Sequence, residues 1–443
     1  MNEIGNDEVI SALKAIIDQF GEFIEPHAIN LINQLVQAFF SFCSAGADDD
    51  DAVVAANECF ECISTVLKGV SERPDIYRTV EPALLPVIKQ ILGNDGEYIE
   101  YIESALDVLT FLTFFQDELS AGLWDIFPML YVAFDQWAFD YFYLMTPVIE
   151  NYIGKSPQTF LTGVTSISGN TVKFIDVTIM MVKKTITEQR AMKSEVRKAL
   201  SLYMCILHNC RGLVDNYLPV INDDILGELR QSTIDDKELL TRIAIFQVLG
   251  SALYYNPQLQ LQELEKRGAT KPVFSQWIKD SDKMESWLSR KIIVLAFSSV
   301  LQLPITSLPP SFTDGITHII TCATKIMEKM EKDSQDIENS EAISEELEEE
   351  WEEEDLTGFT EDQDVSININ DEPYIDALLG RKTVDDFSRF LIGDDWDEDD
   401  DDDDYASPID DIDTLLFYTD SLNAVFQREP MVRIHLINTI SNY

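Results

Sequence analysis

The sequence predicts an all-α fold in which helices stack in pairs as a solenoid, followed by a long acidic disordered arm and a helix that returns to the stack. Three observations predict it. Apolar residues recur at three- and four-residue spacing through most of residues 1–330, the period of one helix face. The pairs also repeat: their first members begin near Asn6, Asp51 and Glu97, and later ones near Arg190, Asp235 and Asp282. That period is the one of HEAT and armadillo repeats, so a HEAT/armadillo-like right-handed superhelical solenoid is expected over 1–330. Finally, 35 Asp and Glu against 4 Lys and Arg crowd the stretch Glu331–Asp413, a density that repels itself and buries too little apolar surface to offset chain entropy.

Taken in order, Val9, Leu13, Ile16, Ile17, Phe20 and Phe23 form one face of a first helix, which Glu25-Pro26 breaks. A second runs from His27 to about Cys43. Gly46 and Asp48–Asp51 make a loop and place carboxylates at the start of the next helix, Ala52–Val70, where the helix dipole favours them. Ser71-Glu72-Arg73-Pro74 turns the chain into Ile76–Leu92, and Gly93-Asn94-Asp95-Gly96 turns it again before Tyr98–Phe115. Ile126–Ile149 has the length of a membrane span, but Asp135 and Asp140 sit near its middle and Pro128 and Pro147 near its ends. Two buried helices, Leu123–Phe134 and Trp137–Ile153, fit better than a span. Gly154–Asn170, with Gly163 and Gly169, reads as partly loop. Helices are then expected at Val172–Thr187, Val196–Asn209, Asn216–Gln231, Glu238–Tyr255, Trp287–Leu303 and Ile316–Met330. Pro219, Pro257, Pro272, Pro304, Pro309 and Pro310 fall at or near their ends, where a missing N–H costs little. No segment shows sustained two-residue alternation between hairpin turns.

Residues 331–405 are the expected arm and 406–443 the returning C-terminal helices, Asp410–Phe426 and Met431–Ile440. Two islands interrupt the arm. Tyr374, Ile375, Leu378 and Leu379, then Phe387, Phe390, Leu391 and Ile392, stand beside Arg381, Lys382 and Arg389. They are either short amphipathic turns that dock on the solenoid or a partner, or residual hydrophobicity in a linker.

Composition narrows the chemistry. Of 443 residues 45% are hydrophobic, enough for a large core, and 80 acids against 32 bases give a net charge of −48. Direct binding to nucleic-acid phosphates is disfavoured. Met1–Ile10 carries Glu3, Asp7 and Glu8 and no apolar core, so neither a secretory signal nor a transit peptide is expected. Six cysteines over this length suit a reducing compartment. Cys59/Cys62 and Cys205/Cys210 lie in apolar helical runs and read as buried thiols rather than metal ligands. His27, His208, His318 and His435 are scattered, and no phosphate-cradling glycine motif is present. No catalytic residue, cofactor or metal site is therefore expected, and no enzyme.

The candidate binding residues are the carboxylates Glu345, Glu346, Glu348, Glu349, Glu350, Glu352, Glu353, Glu354 and Asp355, with Asp394, Asp395, Asp397, Glu398, Asp399, Asp400, Asp401, Asp402, Asp403 and Asp404. Such runs either keep the chain soluble or recruit basic protein surfaces. They lack the spacing of an EF-hand loop.

Several separate segments carry a resemblance. These are Glu81-Pro82-Ala83-Leu84-Leu85-Pro86-Val87-Ile88, Leu123-Trp124-Asp125-Ile126-Phe127-Pro128, and Gln136-Trp137-Ala138-Phe139-Asp140-Tyr141-Phe142. Asn209-Cys210-Arg211-Gly212-Leu213-Val214-Asp215, Ala252-Leu253-Tyr254-Tyr255-Asn256-Pro257 and Ser407-Pro408-Ile409-Asp410-Asp411-Ile412-Asp413 follow. In this order, with an acid run before the last, the chain resembles the carboxy-terminal half of the β-karyopherins of the importin-β superfamily, closest to the importin-seven and importin-eight group. The resemblance implies a nuclear transport receptor that shuttles between cytoplasm and nucleus. It implies basic cargo such as histones and ribosomal proteins, and FG-repeat nucleoporins and the Ran GTPase as partners. The family's main Ran contact lies in amino-terminal repeats outside the segments matched, so Ran-driven release is not expected of this chain. The acid runs alone also fit an acidic histone-chaperone-like scaffold without transport activity.

Overall fold

The computed structural model describes residues 24–43, 50–71, 73–93, 95–232, 238–312, 315–354 and 407–428, with side chains in the sixth of these as far as Gln335. The helices expected at Val9–Phe23 and Met431–Ile440 lie outside the described residues. Two compact units divide the chain, the first reaching Tyr255 and including Ser407–Ile409, the second running from Asn256 and resuming at Asp410.

In the first unit the helices are α1 (Ala28–Cys43), α2 (Asp50–Gly69), α3 (Pro74–Gly93), α4 (Ile102–Phe114), the short α5 (Ala121–Trp124), α6 (Phe127–Gln136) and α7 (Phe142–Lys155). After a short α8 (Pro157–Thr162) come strands β1 (Val164–Ile167) and β2 (Asn170–Lys173). Helices α9 (Phe174–Thr187), α10 (Lys193–Asn209), α11 (Leu218–Ser232) and α12 (Leu239–Tyr255) complete the unit. They form two layers. One is the row α1, α3, α6, α9, α11 and the other the row α2, α4, α7, α10, α12, each helix packing on its neighbours in the row and on its partner across. That is the helix-pair stacking of a HEAT/armadillo array.

The periodicity explains the packing. Helix α1 buries Ala28, Ile32, Leu35, Val36 and Phe39, one stripe of a 3.6-residue helix. Helix α3 carries Pro82 and Pro86 in its interior, and both prolines are exposed. The carbonyls of Arg78 and Pro82, which lose their helical N–H partners, thus lie on the solvent face, where water can replace them. Helix α12 is covered nearly all round, from Thr241 to Tyr255.

Several local expectations need correction. The stretch expected as one helix, Leu123–Phe134, is α5 and α6, with Pro128 in the first turn of α6. Helix α7 starts at Phe142 rather than Trp137, after a 3-10 turn at Phe139–Tyr141, and it contains Pro147. The expectation of no hairpin is also wrong: β1 and β2 pair antiparallel, Val164 opposite Lys173 and Ile167 opposite Asn170. The two residues between them, Ser168 and Gly169, have φ of 50° and 80°. Such a left-handed pair is the tight turn that matches strand twist.

The second unit holds α13 (Pro257–Lys266), α14 (Thr270–Asp280), α15 (Trp287–Leu301), α16 (Gly315–Glu354) and α17 (Thr414–Arg428). Helices α13 and α14 are additional to the predicted set. Helix α15 is buried from Leu288 to Leu301 and packs against both α16 and α17. The returning helix α17 is fixed by polar contacts at both ends. Tyr418 Oη stands 2.7 Å from Thr324 Oγ1 and donates to the Ile320 carbonyl. The Arg428 guanidinium donates to the carbonyls of Leu301 and Gln302 at 2.6 and 2.7 Å. Helix α16 runs on to Glu354, past Met330 and into the stretch where disorder is expected. Among the described residues no helix is long and apolar enough to cross a membrane.

Candidate functional site

The acid runs themselves lie at the margin of what the structure describes. Glu345, Glu346, Glu348, Glu349, Glu350, Glu352, Glu353 and Glu354 are on the backbone of α16, with their side chains outside the described residues. Asp355, Asp394, Asp395, Asp397, Glu398 and Asp399–Asp404 lie wholly outside, as do the two islands of the arm. What the structure does bring together is the set of separated motifs.

The first joint is built on Glu81. This α3 residue is 7% exposed, and its carboxylate accepts from Gln116 Nε2 at 2.9 Å and from the Ser120 hydroxyl. Ser120 in turn caps α5 by accepting from the Leu123 N–H. Gly122 packs closely here, since a Cβ would come within 2.6 Å of the end of the Leu85 side chain, which would have to move aside. Beneath it, buried Tyr152 donates to the Leu123 carbonyl at 2.5 Å. The Tyr152 ring packs edge-on against Trp124 and Phe127, and both of these meet Phe174. Burial, with Glu81 and Asp125 nearby, pushes the Tyr152 phenol far above its ordinary pKa. One motif therefore supplies Glu81 and the next supplies the helix it anchors.

A second joint unites two more motifs. Arg211 Nη1 donates to Tyr254 Oη at 2.6 Å, and its guanidinium lies 4.1 Å from the centre of that ring. Tyr255 Oη donates to Asp215 at 2.8 Å and accepts from the Val214 N–H at 2.9 Å. At this same place Ser407 reaches the first unit. Its hydroxyl is 2.8 Å from His208 Nδ1, while His208 Nε2 is 2.8 Å from Ser251 Oγ. Burial, helped by the Arg211 charge, pushes the His208 imidazole down to about 3, so the ring is neutral at physiological pH.

In the second unit the motif continues. Buried Lys291 donates to the Asp410 carbonyl at 2.6 Å, and its pKa is lowered by burial against the opposing pull of Asp410, Asp411 and Asp413. Asp413 Oδ1 accepts from the Leu416 N–H at 2.9 Å and so caps α17.

Burial shifts other groups as well. Asp107 on α4 is pushed up to about 6 by burial and by Glu103 one turn away, a like-charge pair at i,i+4. Cys59 and Cys210 are buried and free, each pushed up to about 12 by burial, and Cys62 and Cys205 are buried as well. Among the described residues no group of three His, Cys, Asp or Glu could hold a metal ion.

Sequence reasoning missed Gln116, Ser120, Tyr152, Ser251 and Lys291. Ser120 had a usable signal, since a serine before an apolar run is an N-cap pattern. Nothing in the spacing pairs the others with their partners.

A family model described as importin-11-like, TPR repeats, matches residues 74–382. The chain belongs to the importin-11-like family. It is similar to the probable importin-7 homolog of Dictyostelium discoideum, 24% identical over 472 residues that cover 97% of this chain and 43% of that protein. It is also similar to the importin beta-like SAD2 homolog of Arabidopsis thaliana, 27% identical over 326 residues, 70% of this chain and 30% of that protein. Human importin-8 is 25% identical over 375 residues, 79% of this chain and 34% of that protein. These relatives place the importin-family chain in the importin-β superfamily beside importin-7 and importin-8. It spans less than half the length of each. No solved structure matches it.

Proposed function

We propose that this chain is the part of a nuclear transport receptor that takes up basic protein cargo, of the kind histones and ribosomal proteins represent, for import from cytoplasm to nucleus. The observation that carries the reading is the dense carboxylate run of a chain in the importin family: a net charge of −48 with the acids concentrated after residue 330. Exposed ion pairs contribute about 0–1 kcal/mol each, so affinity comes from their number and falls as salt rises. The helix stack would be the surface for FG-repeat nucleoporins, and Ran-driven release is not part of the proposal.

Titration of the full chain with core histones or a ribosomal protein tests this. Replacing the acids of Glu345–Asp355 and Asp394–Asp404 by Gln and Asn should weaken binding about 100-fold at low salt. Equal affinity for the neutralised chain would remove the reading. Cargo binding with no FG-repeat binding and no entry into nuclei of permeabilised cells would favour the acidic scaffold without transport.

A further inference from the structure

Ser407 is the first described residue after the arm and is 7% exposed. Its hydroxyl enters a chain of hydrogen bonds that runs through His208 to Ser251. The single proton of Ser251 Oγ goes to the Gln247 carbonyl at 2.8 Å. At the 2.8 Å contact between Ser251 and His208 Nε2, the ring must then be the donor. A neutral imidazole with its proton on Nε2 offers only a lone pair at Nδ1. Ser407, 2.8 Å from Nδ1, is therefore the donor there. The same oxygen also faces the Ile409 N–H at 3.4 Å.

The next residue, Pro408, is exposed, and Ser-Pro is the dipeptide that proline-directed kinases require. We propose that Ser407 is a phosphorylation site, modified when Ser407–Ile409 leave the first unit, and that the phosphate then prevents their return. In the transfer, the Ser407 Oγ–P bond forms as the β–γ phosphoanhydride bond of ATP breaks. ADP leaves, and the hydroxyl proton passes to the kinase. The product carries close to two negative charges and, near neutral pH, mostly acceptor oxygens. It would set those charges against the Nδ1 lone pair in a buried site, with Asp410, Asp411 and Asp413 close in sequence. Arg211 is already committed to Tyr254 through its two hydrogen bonds and the ring face, so it is a poor counter-ion.

The test treats the full chain with a purified proline-directed kinase and magnesium ATP. Mass spectrometry reads phosphate on Ser407, and hydrogen exchange reads the amides of Ile409–Asp413. In His208→Phe, which lacks the acceptor, Ser407 should be phosphorylated several-fold faster than in the wild type. Where that variant does not fold, Ser251→Ala takes its place, since it breaks the same chain of bonds. Phosphorylated wild type should exchange at Ile409–Asp413 about tenfold faster or more, the scale of one lost hydrogen bond plus a buried charge, with helix α3 unchanged. No phosphate on Ser407 in any of these proteins overturns the proposal. So does phosphate that leaves exchange unchanged or slows it.

Discussion

Glu81 and the acids from Glu345 to Asp355 share a functional group and little else. Glu81 is enclosed, with both carboxylate oxygens taken by Gln116 and Ser120 from beyond α4. The run Glu345–Asp355 has nine acids and no base in eleven positions. The contrast separates two kinds of information in one chain. The joints between helices, Glu81 to Ser120, Arg211 to Tyr254 and Ser407 to His208, each draw at least one residue from the segments on which the sequence resembles importins. The charge on which cargo binding is proposed to depend belongs to none of these joints.

That separation can be broken by experiment. The largest effect is expected at Glu81→Ala, which strips the acceptor from buried Gln116 and half-buried Ser120 and should cost about 3 kcal/mol in denaturant unfolding. Affinity per folded molecule for a basic protein should stay the same, and a parallel loss would show that the joint and the charge are coupled. Next comes pH. The His208 pKa is depressed in the fold, to about 3 from an ordinary 6.5, so the stability it contributes is full above pH 6.5 and is lost as pH falls toward 3. Between pH 6.5 and 5 the loss should be on the order of 2 kcal/mol. His208→Gln should flatten this window, as read from unfolding curves at each pH. The smallest effect is expected from neutralising the acids of Glu345–Asp355. Thermal or denaturant unfolding should change by less than about 0.5 kcal/mol, and a larger change would mean that these carboxylates do touch the fold.

Much of the helical order was legible because long amphipathic stripes announce themselves. Ile32, Leu35, Val36 and Phe39 read as one face before any contact is known. The hairpin was not legible, since each strand has four residues and only Ile167 of β1 is buried, too short an alternation to stand out. Helices α13 and α14 were hidden by polarity, with Gln258, Gln260 and Gln262 in one and Pro272 in the other. For α16, charge repulsion was read as favouring disorder from Glu331, yet Glu, Lys, Met and Ala are among the strongest helix formers, and the helix continues to Glu354. The carboxylates of the candidate site were plain in the sequence as a composition. The joints were not, because partners such as Ser407 and His208 stand 199 residues apart and local spacing carries no trace of the pairing.

Lys291 has a consequence beyond anchoring the returning segment. Its ammonium sits 4.3 Å from the centre of the Trp287 ring while donating to the Asp410 carbonyl, and Trp287 is 50% exposed. A positive charge held against an indole shifts the energy of its excited state. The emission of this tryptophan, one of six in the chain, is thereby an optical gauge of whether Asp410 is in place, readable without any added dye.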